Sequence, residues 1–206
     1  SGAFKARLFA PLPQGDDEEL DELLAKNRSS VILRFSVRGG GTLDKCRVLM
    51  GGDAEVAIWE RLWEKHSADH ADWLSYDILL APHHCSWHSL SYDSYSDLGE
   101  DAEVCADARS ALAQTRKGAV VIASSKTIDP EEADPPSDRA KREYISIVDG
   151  TSKRFICVAD VWDDEKRPLQ FDITAYGVTK AVKTAAKAAV TALGVGATAS
   201  HARAHG

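Results

Sequence analysis

Asp77-Ile78-Leu79-Leu80-Ala81-Pro82-His83-His84-Cys85-Ser86-Trp87-His88-Ser89 decides how this chain is read. Consecutive aliphatics, not an alternation, mark a strand buried on both faces. The loop leaving the carboxyl end of such a strand is where α/β folds place ligands and catalytic groups. Three imidazoles leave that strand end together as His-His-x-x-x-His. The spacing points to a metal site; the plainer reading has one or two rings hydrogen-bonded in the core and a third in solvent.

The same grammar stands thirty residues upstream, where Cys46-Arg47-Val48-Leu49-Met50 runs into Gly51-Gly52-Asp53-Ala54-Glu55. Gly51 and Gly52 admit backbone conformations that a Cβ resists, so Asp53 can turn sharply towards a neighbouring strand end. Asp53 is therefore a candidate metal ligand, or else the N-cap of an amphipathic helix over residues 54–66. That helix carries Val56, Ile58, Trp59, Leu62 and Trp63 on one face, which assigns both tryptophans to the core.

Outward from these two exits the chain alternates strands and helices. Strands are expected at 4–9, 31–37, 46–50, 76–80, 119–123, 154–159 and 169–175, with a hairpin turn at Gly39-Gly40-Gly41. Helices are expected at 16–26, 54–66, 102–117 and 139–148, and a charged turn at 163–166. Residues 124–137 form a long polar loop with three prolines. Ser125 and Lys126 open it, able to hold a phosphate or to close a capped turn. Residues 90–99, rich in Ser, Tyr and Asp, read as a surface loop or a flap facing substrate.

From Thr179 the composition shifts to Ala, Lys and Val. Val178, Val182, Ala185, Ala189 and Leu193 make one narrow stripe of an amphipathic helix, followed by a disordered tail whose His201 and His205 are not counted as ligands. The division is thus 1–176 as the α/β domain (α+β sandwich type) and 177–206 as the Ala/Lys-rich helix and tail. The 206 residues are 44% apolar, enough to bury a core, and no apolar run approaches the roughly eighteen residues that span a bilayer. Four widely spaced cysteines suggest neither a disulfide framework nor a Cys-x-x-Cys zinc site, which makes a reducing cytoplasm the expected compartment. Cys85 alone stands where a thiol could bind metal or act as nucleophile; as a small core filler it needs neither role.

A net charge of −7 argues against a protein that coats nucleic acid over its whole surface, but not against a nuclease, in which metal ions carry the positive charge. Arg139, Lys141 and Arg142, and later Lys180, Lys183 and Lys187, read as solvated helix faces.

Asn27-Arg28-Ser29-Ser30-Val31-Ile32-Leu33-Arg34, Leu49-Met50-Gly51-Gly52-Asp53-Ala54-Glu55 and Ala81-Pro82-His83-His84-Cys85-Ser86 together resemble the later half of a metallo-β-lactamase-fold hydrolase. They are most similar to the metallohydrolase domain of the DNA-uptake competence channel. The resemblance implies the later half of an αββα fold, in which the aspartate after the glycines bridges two metal ions and the His-His loop lines the same site. Asp53, His83 and His84 inherit the metal-ligand roles, the ions being Zn2+ or Mn2+. His84 or His88 would protonate the leaving group after attack by a metal-bound hydroxide on a phosphodiester of nucleic acid or a nucleotide.

Two departures limit that inheritance. The family's His-x-His-x-Asp-His motif is absent, and residues 1–26 contain no histidine. The late His-Pro is replaced by Asp134-Pro135-Pro136, where Asp134 is either a substitute oxygen ligand or an ordinary turn residue. Zinc takes three or four protein ligands, so three leave a two-ion site incomplete. The expectation is that an N-terminal half of a longer protein, or a partner chain carrying His-x-His-x-Asp-His, supplies the rest. The alternative is a catalytically degenerate domain acting as a protein-interaction module, presenting residues 92–97 or the terminal helix.

Overall fold

A computed structural model describes residues 2–12, 30–131 and 134–181. Its centre is a six-stranded sheet in sequence order, β1 (Phe4–Ala10), β2 (Ile32–Gly39), β3 (Thr42–Met50), β4 (Tyr76–Leu80), β5 (Thr115–Ala123) and β6 (Phe155–Cys157). The first three strands pair antiparallel and β3 to β6 run parallel. Antiparallel neighbours need only a tight turn, here at Gly39–Gly41, whereas parallel ones need a crossover. Helices supply the crossovers: α1 (Val56–His66) before β4, α2 (Tyr95–Leu98) and α3 (Ala106–Leu112) before β5, and α4 (Asp138–Ile147) before β6. This is a mixed α/β fold, as the run Ile78–Leu80 leads one to expect.

The helices cover one face of the sheet. Trp59 and Leu62 of α1, Ala108 and Leu112 of α3, and Ala140 and Tyr144 of α4 pack with Leu49, Leu79 and Val121 from successive strands. Each of those three strand side chains is fully buried and contributes roughly 1.5–3 kcal/mol. The opposite face holds a smaller cluster around Cys46, Ile78 and Ile122. It is covered by α5 (Val158–Glu165) and by a separate hairpin of β7 (Phe171–Thr174) and β8 (Gly177–Lys180). The tip of that hairpin lies on the β2–β3 turn so closely that a Cβ on Gly39 would fall 2.4 Å from the Thr174 carbonyl oxygen.

Several sequence expectations are corrected. The helix expected over 102–117 is confined to Ala106–Leu112, because Thr115 already pairs with Tyr76 and β5 begins there. Residues 163–166 are not a free turn: Val158 and Val161 share a helical face, and α5 continues to Glu165 before Lys166 takes a left-handed conformation and ends it. The strand expected over 154–159 is accordingly only Phe155–Cys157. Val178 does not start a helix; it pairs with Ile173 in the β7–β8 hairpin, since the small inner cluster needs a cover on that face. The expected helix over 16–26 and everything beyond residue 181 lie outside the described residues. Among the described residues no helix is long and apolar enough to cross a membrane.

Candidate functional site

Parallel pairing aligns the carboxyl ends of β3, β4 and β5, with Met50 opposite Leu80 and Leu80 opposite Ile122. The three exits remain tied beyond the strands. Gly51 N–H donates to the Leu80 carbonyl at 3.3 Å, His83 N–H to the Gly52 carbonyl at 2.8 Å, and Ala81 N–H to the Ile122 carbonyl at 2.9 Å. Gly51 is needed for this approach: a Cβ there would stand 2.8 Å from the Cβ of Pro82. Gly52 has φ +55, and its Cβ would meet the Val31 carbonyl oxygen at 2.8 Å.

Asp53 and His84 meet across this junction, with Oδ1 3.9 Å from Nε2. Asp53 is not the cap of α1, whose N-cap position is Glu55 without a side-chain hydrogen bond. His84 is held from behind: its Nδ1 lies 2.8 Å from the Ser124 carbonyl oxygen. A carbonyl only accepts, so Nδ1 carries the proton, and in the neutral ring the Nε2 lone pair faces Asp53. Anchoring one imidazole nitrogen on a backbone carbonyl is the usual way a metal-binding histidine has its other nitrogen oriented. Both side chains remain open, Asp53 at 62% and His84 at 57% exposure.

The loop that carries the histidines is strained. His83, His84 and Cys85 all have left-handed backbones, with φ of 47, 55 and 71, a conformation that costs an L-residue about 1–2 kcal/mol. Strain of this kind persists only where surrounding contacts enforce it. Here Cys85 is fully buried and its carbonyl accepts from Ser137 N–H at 2.9 Å. Burial pushes the Cys85 thiol well up from its ordinary value, which suits a core filler and not a thiolate nucleophile. His83 turns inward, and its Nδ1 is buried without a hydrogen-bond partner.

Asp134 has a different task from the one an oxygen ligand would have. Its carboxylate accepts from Ser86 Oγ at 2.9 Å and from Trp87 N–H at 3.1 Å, bracing the histidine loop from the side. His88 Nε2 stands 3.9 Å from Asp134 Oδ2, and its ring is half-exposed. Trp87 does not wall the site: it is fully buried, donates Nε1–H to the Asp93 carbonyl at 2.9 Å and lies under the guanidinium of Arg139. Arg139 is therefore a packing residue and not part of a solvated face. A pocket of about 420 Å³ opens beside His84, lined also by Ser125, Lys126 and Pro136.

Do these residues fit the metal centre that the resemblance implies? Two ligand atoms about 2.1 Å from one tetrahedral ion lie roughly 3.4 Å apart, close to the observed pair. Asp53 Oδ1 and the lone pair of His84 Nε2 therefore fit as two ligands. Among the described residues no three His, Cys, Asp or Glu side chains converge as a complete centre requires. Neither the Ser124 carbonyl nor the Gly52 carbonyl was readable beforehand, because a backbone group has no residue type to betray it. Comparison with protein families, curated proteins and solved structures finds no match to this chain.

Proposed function

We propose that this chain contributes the Asp53–His84 half of a divalent-metal hydrolase site, in the later half of a metallo-β-lactamase-type fold. The observation that carries the reading is the anchored imidazole: His84 donates its Nδ1–H to the Ser124 carbonyl and turns Nε2 onto the Asp53 carboxylate. Zinc or manganese, when bound, supplies Lewis acidity and an acidified water. The chain's own residues hold and orient. Asp53 and His84 hold the ion, the strained His83–Cys85 turn keeps the ring in place, and Asp134 steadies that turn.

His88 is the chain's candidate proton donor to a leaving group, half-exposed on the same loop. His83, whose Nδ1 is buried without a hydrogen-bond partner, is the third candidate ligand of this chain. The remaining ligands come from an upstream half of the protein or a partner chain, for which the open faces of Asp53 and His84 leave room. Phosphodiesters of nucleic acid or nucleotides are the substrate class, and the four free thiols suit the reducing cytoplasm.

A second reading, an interaction domain that has lost its chemistry, is favoured by the half-exposed Tyr92 on the loop expected to face a partner and by Leu98 just after it. Calorimetric titration with zinc or manganese separates the two. The hydrolase reading expects saturable binding by the whole chain, weakened at least about 10–100-fold by His84→Ala or Asp53→Ala, since loss of even an outer-shell partner of a metal ligand costs that much. Adding a polypeptide that carries His-x-His-x-Asp-His should then restore cleavage of a model phosphodiester. Binding indifferent to both substitutions, or none, ends that reading.

A further inference from the structure

At the other end of the sheet, the start of β5 is irregular. From Tyr76 to Ile78, β4 advances two residues, while opposite it β5 advances five, from Thr115 to Val120. Three extra residues are thrown out of the ladder, with Gly118 at φ +83 making the turn. Bulges re-aim side chains, and this one delivers Arg116 and Lys117 to the mouth of a cavity of about 450 Å³ beneath the β7–β8 hairpin. Lys45 of β3, Lys153 before β6 and Lys180 of β8 line the same space.

The charges there do not cancel. Asp77 is the lining carboxylate, and it is already engaged, accepting from Arg116 Nη1 and from Arg47 N–H at 2.7 Å each. Lys180 pairs with Glu165 at 2.9 Å. Lys45, Lys117 and Lys153 have no carboxylate partner among the described residues. Three uncompensated ammonium groups gathered in one concavity, on a chain of net charge −7, form a local field that draws anions. Tyr176 lines the cavity too, at the hairpin turn, and is fully solvent-exposed at 102%. A large aromatic ring that packs against nothing contributes little to the fold.

Cations that track phosphate beside an exposed aromatic face make the usual platform for a nucleic-acid base and its phosphates. The volume also lies within the roughly 300–1,000 Å³ of small-ligand sites. We propose that this cavity binds a nucleotide, its phosphates on Lys45, Lys117 and Lys153 and its base on Tyr176. The nucleotide is either free or the terminal unit of a single strand. The site is separate from Asp53 and His84, which lie past the opposite end of β4, a strand roughly 13 Å long. It stands whether or not a metal binds there.

The test is titration of the whole chain, in EDTA to silence the metal site, with a nucleoside triphosphate, inorganic tripolyphosphate and a short oligodeoxythymidine. Wild type, Lys117→Ala/Lys153→Ala and Tyr176→Ala are compared; all three positions are exposed, so the variants should fold. The expected result is saturable binding of the nucleotide or the oligonucleotide that falls with salt and weakens about tenfold or more in the double variant. Tyr176→Ala should weaken the base-bearing ligand at least about fivefold and leave tripolyphosphate unchanged. Tighter binding of the triphosphate assigns the site to a free nucleotide, and tighter binding of the oligonucleotide to a strand end. Failure of both to saturate, or indifference to either substitution, overturns the proposal.

Discussion

Replacing Gly52 by alanine should cost far more than replacing Gly150, although both residues take a positive φ. Gly52 has φ +55 and Gly150 φ +65, so an added Cβ is strained at both, by about 1–2 kcal/mol. Their surroundings differ. A Cβ at Gly150 finds nothing within 4 Å, whereas at Gly52 it would sit 2.8 Å from the Val31 carbonyl oxygen. That oxygen belongs to backbone and cannot swing aside, so the β3 exit must move, adding about 1–3 kcal/mol of overpacking. Gly52→Ala should therefore lose roughly 2–5 kcal/mol in all. With a urea slope of about 2 kcal/mol per molar, its unfolding midpoint should fall about 0.5–1.5 M below that of Gly150→Ala. Because the Gly52 carbonyl also accepts from His83 N–H, the same variant should bind zinc more weakly, and Gly150→Ala should not. Equal midpoints for the two variants would refute the claim that close approach, and not φ alone, demands glycine beside Asp53.

Two further outcomes are expected. Asp134→Ala strips the buried Ser86 hydroxyl and the Trp87 N–H of their acceptor, and should cost about 1–3 kcal/mol in urea unfolding, where a change below about 0.5 kcal/mol would deny the bracing role. Glu100 is held at about 2 by its hydrogen bond from Arg142 and then by that from the Tyr95 hydroxyl. A depressed carboxyl adds to stability above its unfolded value of about 4.3 and loses that contribution as pH falls through about 2. An NMR titration of the Glu100 carboxyl should show the low value in wild type and a clear rise in Arg142→Ala, and an unmoved titration would contradict the assignment.

Much of the fold was legible where the period of the pattern matched the environment on both faces. Leu49, Ile78–Leu80 and Val120–Ile122 lie in strands sandwiched between two layers, so uninterrupted aliphatics announced them. The errors fall where a tertiary partner decides between two readings of one pattern. Val178 and Val182 satisfy a helical spacing, but Val178 sits opposite Ile173 over the Cys46 cluster, and that cluster is visible only after folding. Residues 163–166 looked like a turn because they are all charged, and the Asp163 and Asp164 side chains are indeed exposed. They are the outer face of the last turn of α5, whose inner face is only Val158 and Val161. The start of β5 was hidden for a similar reason, since the bulge breaks the alternation that would have marked Thr115–Gly118 as strand.

The candidate site was legible as two strand exits but not as one place. Each exit announces its residues, Asp53 after the glycines and the histidines after Pro82, while nothing local says that β3 and β4 are neighbours. The length of α1 supplies that: eleven residues make a crossover of about 16 Å, long enough to return the chain to the start of a parallel strand beside the one just left. Once the two are adjacent and Met50 stands opposite Leu80, an acid three residues beyond one end and an imidazole four residues beyond the other must lie near each other. Which imidazole it is goes with the left-handed turn at His83–Cys85, on which the His83 Nδ1 is buried and the His84 Nε2 stands against Asp53. A variant that relaxes the turn while keeping both rings would thus lose the pairing with Asp53 and retain every residue type on which it depends.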